Sequence, residues 1–303
     1  MTSSPADLPT PPPELAVRVG GEIWEYGAIG TQQRVFIEAM LPDGWSYPGK
    51  AVLDFGSGAG RTLSAFATEA GTARFVGCDI HEPSIAWAQR ELSPPFEFFL
   101  CQESPPLPVE AGSFDLIYAM SVFTHITREW SHWIAELHRV LAPGGLALLS
   151  VLGPAMAPQF LGRDWDERIG IAMVDMHKDW DIGGPTVFMS EWWIREHLGR
   201  AFDVMRFEPS APGGHDLVLL QRREVPVSPE MLAAVQPSDV REVAALSYNL
   251  ELLLEQQERL GADVRAQQRQ IAELEGLGIR RRWRAIRAAA QRLNGSHPPK
   301  TGC

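Results

Sequence analysis

Val52-Leu53-Asp54-Phe55-Gly56-Ser57-Gly58-Ala59-Gly60-Arg61 is a short apolar run, an acid, and then glycines at every second position. Ala51, Val52 and Leu53 before the acid fit a buried parallel strand. The glycines permit a tight turn and let a ligand lie against bare backbone. Beyond them Leu63, Phe66 and Ala67 fall at helical spacing over Arg61–Glu69, so a helix N-terminus is expected to point into the turn. Strand, glycine turn and helix is how an α/β domain receives a nucleotide-like ligand at the C-terminal end of its sheet.

Spacing within the loop narrows the ligand. A dinucleotide loop reads Gly-x-Gly-x-x-Gly and cradles pyrophosphate on helix amides; this one reads Gly-x-Gly-x-Gly. Asp54, two residues before the first glycine, would repel a phosphate and pair with an ammonium group. Taken alone, the loop also reads as an ordinary strand-to-helix turn.

Residues 14–222 alternate short apolar runs with helical periodicity, the pattern of an α/β sheet. Strands are expected at Ala51–Phe55, Arg74–Asp79, Glu97–Cys101, Phe114–Ala119, Leu146–Leu152, Val204–Glu208 and Asp216–Gln221. Helices are expected at Arg61–Glu69, Pro83–Glu91, Trp130–Leu141 and Ser190–Leu198, with Pro143-Gly144-Gly145 as a helix stop. Residues 1–13 hold five prolines and read as a disordered tail; 223–240 read as a linker.

Beyond the linker, Val243, Leu250, Gln257, Val264 and Ile271 recur every seven residues, with Leu246, Leu253, Leu260, Gln267 and Leu274 as the companion series. This is the heptad pattern of a coiled coil over 241–275, read as a homodimer seam through 243–274. The alternative is a long helix folded back on its own domain. Gly276-Leu277-Gly278 ends the heptads, and 276–303 form a basic tail. There Ile279, Trp283, Ile286 and Leu293 make an apolar stripe among six arginines. Such a helix over 279–293 can lie on an anionic membrane surface, or be a solvated end or a dock on the acidic body.

Charge and cysteine usage exclude other classes. The tail carries +7 against −11 for all 303 residues, leaving −18 on the body, which argues against nucleic acid as a partner. Cys78, Cys101 and Cys303 show no metal-ligand spacing and no disulfide framework, so no metal is expected and a reducing, cytoplasmic compartment is favoured. No apolar run approaches the length of a membrane span, and prolines interrupt the N-terminus where a signal peptide would be apolar.

Further motifs follow in order. Asp79 closes Phe75-Val76-Gly77-Cys78-Asp79-Ile80, where a carboxylate can hold two ribose hydroxyls or cap the helix beginning near Pro83. Cys101-Gln102-Glu103-Ser104 follows the next strand. Then come Gly112-Ser113-Phe114-Asp115-Leu116-Ile117-Tyr118-Ala119-Met120-Ser121-Val122-Phe123-Thr124-His125-Ile126 and Arg139-Val140-Leu141-Ala142-Pro143-Gly144-Gly145.

Together these resemble the class I S-adenosylmethionine (SAM)-dependent methyltransferases over roughly residues 20–222, and Gly213-Gly214-His215-Asp216, leading into the last strand, resembles a turn recurrent in sugar- and glycan-associated members. The resemblance implies a Rossmann-like, mostly parallel seven-stranded sheet followed by the coiled-coil helix, and SAM as cofactor. It implies that Asp54, Gly56, Ser57, Gly58 and Gly60 form the donor loop, Asp79 holds the ribose and Ile80 packs on adenine. It implies that Glu103, or alternatively Gln102, meets the adenine amino group, a solvated loop glutamate being the other reading of Glu103, and that the backbone near Ala119 and Met120 accepts from the methionine ammonium. Methylation of a hydroxyl on a small molecule or glycan needs a general base. His125 is one candidate, with capping or packing as its other reading. His177, beside Asp175 in the polar insert between Leu152 and Ser190, is another, with a surface loop as its other reading. His215 either lines the acceptor site or makes a turn, and Tyr26 is a candidate cover for the cofactor. A scaffold that binds without catalysing, and an NAD-dependent oxidoreductase, are the rival readings.

Overall fold

The computed structural model describes residues 8–19, 25–176, 178, 183–211 and 214–294. The strands are β1 (Ala51–Phe55), β2 (Arg74–Asp79), β3 (Glu97–Leu100), β4 (Phe114–Ala119), β5 (Leu141–Val151), β6 (Ile171–Val174), β7 (Thr186–Met189), β8 (Phe202–Glu208) and β9 (Asp216–Arg222). The helices are α1 (Pro13–Ala16), α2 (Tyr26–Met40), α3 (Arg61–Ser64), α4 (Glu82–Glu91), α5 (Trp130–Val140), α6 (Ala157–Phe160), α7 (Glu191–His197), α8 (Pro229–Ala233) and α9 (Val240–Asn294).

Seven strands form one sheet in the order β3-β2-β1-β4-β5-β9-β8, and β6 and β7 pair as a separate hairpin. Neighbours from β3 to β5 run parallel, while β9 is antiparallel to β5 and to β8. Apolar residues of alternating parity supply the two faces. Leu53 and Phe55 enter the core beneath α5 and α7, and Val52 enters the core beneath α2 and α4. Strand order reverses at β1, flanked by β2 and β4, so a crevice opens at the C-terminal ends of β1 and β4. At the opposite end of β1 the Asp115 carboxylate fixes the register. Its Oδ2 accepts from Ala51 N at 2.9 Å and its Oδ1 from Lys50 Nζ at 2.9 Å.

Several elements depart from expectation. The helix expected over Arg61–Glu69 stops at Ser64, because the amides of Ala65, Phe66 and Ala67 bond to carbonyls three residues back and tighten the chain. Arg34 Nη1 takes the Ala65 carbonyl at 2.6 Å. The stretch expected as a linker contains α8, whose Leu232 is fully buried and whose Ser228 side chain caps it by accepting from Met231 N. The polar insert holds the β6–β7 hairpin. Helix α9 continues through Gly276 and Gly278, where the heptads stop. The chain divides into two compact units, Met1–Asn249 and Leu250–Cys303. No helix among the described residues is long and apolar enough to cross a membrane.

Candidate functional site

At the sheet's crevice a cleft of about 430 Å³ is lined by the glycine loop, the ends of β2 and β4 and the segment after β3. Of the residues singled out in the sequence, Asp54, Gly56, Ser57, Gly58, Asp79, Ile80, Gln102, Glu103, Met120 and His125 all line it.

The loop's backbone explains its glycines. Gly56 and Gly58 adopt φ of 85° and 55°, and a Cβ on Gly56 would lie 2.3 Å from Val122 Cγ2. The amides of Gly56 and Ser57 both donate to Cys78 O, at 2.8 and 2.9 Å, which ties the loop to the end of β2. Asp79 completes that tie: Oδ2 accepts from Gly58 N and Oδ1 from His81 N, each at 2.8 Å. His81, not Asp79, occupies the N-cap of α4, with Nδ1 2.7 Å from Ser84 Oγ. Each Asp79 oxygen keeps acceptor capacity for a hydroxyl. Beside it Ile80 is 37% exposed, a large apolar side chain facing the cleft.

Asp54 lies on the floor of the site, 3% exposed, with no hydrogen-bond donor to Oδ2. Burial pushes its carboxyl up to about 8; the Tyr118 hydroxyl and Arg61 oppose that rise and Asp79 adds to it. Such a buried carboxyl favours a cation beside it, which would let it ionise. Arg61, which sequence patterning placed only at a helix start, is buried here, with its guanidinium 5.9 Å over the Tyr26 ring. Burial lowers its pKa, against Tyr26 and Asp54, which raise it.

Past β4 the chain is constrained. Ser121 sits at φ 61° and its N–H donates to the fully buried Ser150 Oγ at 2.6 Å. A non-glycine residue in this region is strained and persists only where neighbours enforce it. His125 Nδ1 lies 2.7 Å from Pro185 O. A carbonyl can only accept, so Nδ1 carries the proton and the neutral ring bears its lone pair on Nε2. Burial holds the His125 pKa below the ordinary histidine value; the Pro185 carbonyl raises it and Lys178 lowers it further. His215 is likewise depressed by burial and by His125.

Other expected residues fall elsewhere. Gly60 caps α3 at φ 81°, and a Cβ there would meet Leu92 Cδ1 at 2.7 Å, so it serves packing and does not line the cleft. Ala119 is fully buried in the core at the end of β4, and its side chain does not reach the cleft. Tyr26 is buried at the start of α2 and does not line the cleft. His177 lies outside the described residues. Ser121 and Gln33, which line the cleft, and Ser150 are not singled out in the sequence. The pairings of Ser121 with Ser150 and of Gln33 with the Thr62 hydroxyl, which donates to it, join segments far apart in the chain.

Residues 52–145 match the family model described as "Methyltransferase domain". The chain is 31% identical over 140 residues to "Biotin biosynthesis bifunctional protein BioHC" of Cellvibrio japonicus (strain Ueda107), covering 46% of this chain and 26% of that protein. It is 32% identical over 107 residues to "Phthiotriol/phenolphthiotriol dimycocerosates methyltransferase 1" of Mycobacterium ulcerans (strain Agy99), covering 35% of this chain and 39% of that protein. It therefore spans well under two thirds of the length of these relatives. Its fold is similar to that of an S-adenosylmethionine-dependent methyltransferase from Mesorhizobium loti. The TM-score is 0.50 at 21% identity, covering 62% of this chain and 96% of that one.

Proposed function

We propose that this chain, which carries a class I SAM-dependent methyltransferase domain, moves a methyl group to a hydroxyl of a small-molecule or glycan acceptor. The observation that carries the donor half is Asp54: a buried carboxyl with an unshared oxygen, beside a glycine loop that a single Cβ would obstruct. The residues present fit SAM. Asp54 would face its ammonium group, Asp79 the ribose hydroxyls and Ile80 the adenine, with Gln102 and Glu103 at the adenine edge. The backbone near Ala119 and Met120 would accept from the ammonium. When bound, SAM supplies a methyl group on a positively charged sulfur, already activated for displacement.

What remains for the protein is alignment and one proton. Holding donor and acceptor in line can supply about 7–11 kcal/mol of the barrier. His125, neutral and with its Nε2 lone pair set by the Pro185 contact, would take the proton of an attacking hydroxyl. This reading is supported by its place in the cleft, beside Met120 and Ser121. The resemblance to glycan-associated members supports a sugar hydroxyl as acceptor.

The exposed apolar heptad positions, among them Leu253 at 52% and Val264 at 52%, support self-association of the chain through 243–274. The basic segment 279–293 would bring the enzyme to an anionic membrane surface, and the site of action would be cytoplasmic. Calorimetry with S-adenosylhomocysteine, followed by methyl-transfer assays on glycan and lipid-linked hydroxyl acceptors, tests the function. Stabilisation by nicotinamide cofactor and none by S-adenosylhomocysteine would favour an oxidoreductase. Binding with no transfer to any acceptor would favour a scaffold.

A further inference from the structure

His125, which lines the cleft, and its neighbour Thr124 are bonded to the segment of the β6–β7 hairpin. Pro185, just before β7, accepts from His125 Nδ1 at 2.7 Å, and Val187 N donates to Thr124 O at 2.8 Å. A two-stranded hairpin is marginally stable by itself, so its position depends on what packs against it. On the sheet side, Met189 N bonds to Leu152 O at 3.0 Å.

On another side the hairpin and its flanks meet the first turns of α9. Asn249 Nδ2 donates to Ile171 O, at the start of β6, at 2.9 Å. Arg168, shortly before β6, stacks over Tyr248 at 5.2 Å. In α7, which follows β7, His197 Nε2 lies 3.0 Å from Glu242 Oε1, both side chains almost fully buried. The His197 ring stacks on Trp193 at 4.5 Å, and Arg241 lies over Trp192, whose Nε1 donates to Ile169 O at 3.0 Å. None of residues 240–249 lines the cleft. Any influence of theirs on His125 passes through the hairpin.

We infer that Asn249 and Glu242 are positioning residues for the acceptor end of the site: Asn249 holds the hairpin at β6 and Glu242 holds α7, which follows β7, and the hairpin's Pro185 carbonyl fixes the place and tautomer of His125. The inference rests on the reading of His125 as the base proposed above. It places the root of the C-terminal helix in the catalytic assembly and makes 240–249 more than a tether for the coil.

The test uses full-length protein and needs no acceptor. Asn249→Asp keeps the shape and removes the donor, Asn249→Gln retains an amide, and Glu242→Gln keeps a hydrogen-bonding group without the charge. Imidazole nitrogen shifts of His125 report its tautomer, and hydrogen exchange reports the Val187 amide. S-adenosylhomocysteine calorimetry and exchange across β1 serve as controls. N249D and E242Q are expected to raise Val187 exchange about tenfold and to mix the His125 tautomers. Donor binding should stay within about threefold, β1 should be unchanged, and N249Q should recover much of the loss. Unchanged His125 shifts and Val187 exchange would overturn the inference. So would a loss spread equally over β1 and donor binding, which would mark a general loss of stability. Failure of the wild-type protein to bind S-adenosylhomocysteine would instead strike the methyltransferase reading.

Discussion

Asp54 and Tyr118 stand directly opposite each other in the parallel β1–β4 register, and both are buried. The Tyr118 hydroxyl faces the Asp54 carboxyl closely enough to draw its pKa down, yet outside hydrogen-bond geometry. Burial is the stronger influence and drives the carboxyl up to about 8. The folded state therefore holds a proton on Asp54 that an unfolded chain releases near pH ~4. Stability of the ligand-free protein should fall as pH rises from about 4 to 8. Asp54→Asn should flatten that slope in thermal melts taken across the range.

The glycine loop gives a steric prediction. Gly56→Ala places a Cβ 2.3 Å from Val122 Cγ2 at a φ of 85°. It should destabilise the fold by about 1–3 kcal/mol and weaken donor binding. Pairing it with Val122→Ala should recover the steric part and leave the backbone strain, a non-additivity that chemical denaturation can measure.

A buried acid holds the segment that follows β3. Glu136 Oε1 accepts from Leu107 N at 2.7 Å and from Arg139 Nη2 at 2.6 Å, while Arg139 also reaches Val109 O at 3.0 Å. Glu136→Ala leaves the Leu107 amide without its acceptor and should cost about 2 kcal/mol in urea unfolding.

For His125, burial is the main cause of a pKa below the ordinary histidine value, so the basic form persists to lower pH. Once an acceptor is in hand, the acid limb of kcat should lie below about pH 6.5. His125→Ala should lower kcat by about a hundredfold with donor affinity unchanged.

The heptad series predicts a change of mass. Leu253→Glu with Leu260→Glu, both at apolar seam positions, should convert a dimer to a monomer in sedimentation equilibrium without altering the melting of the catalytic domain.

The strands were legible because their signal is local. Ala51–Phe55, Arg74–Asp79 and Phe114–Ala119 coincide with the observed β1, β2 and β4. The first two apolar runs end at Gly56 and at Asp79, residues that punctuate a buried strand. Asp54 was legible for the same reason, since a single acid inside such a run contradicts burial unless something answers its charge. The hairpin was not. Ile171–Val174 and Thr186–Met189 are four residues each, separated by a polar stretch, and only pairing across that gap makes them strands. The contact of His125 with Pro185, sixty residues on, and that of Ser121 with Ser150 depend on tertiary packing, which periodicity does not encode. Arg61 reads only as the start of a helix, and its burial against the Tyr26 ring depends on α2, far from it in sequence.

On the proposed reading, Asp54 makes this crevice a site for a methyl donor that bears an ammonium group. Isothermal calorimetry of S-adenosylhomocysteine at pH 8, with wild type and Asp54→Asn, decides it. Binding near the micromolar range is expected, with proton release as Asp54 ionises and a loss of about a hundredfold or more in the variant. No binding by the wild-type protein, or equal binding by the two, would contradict it.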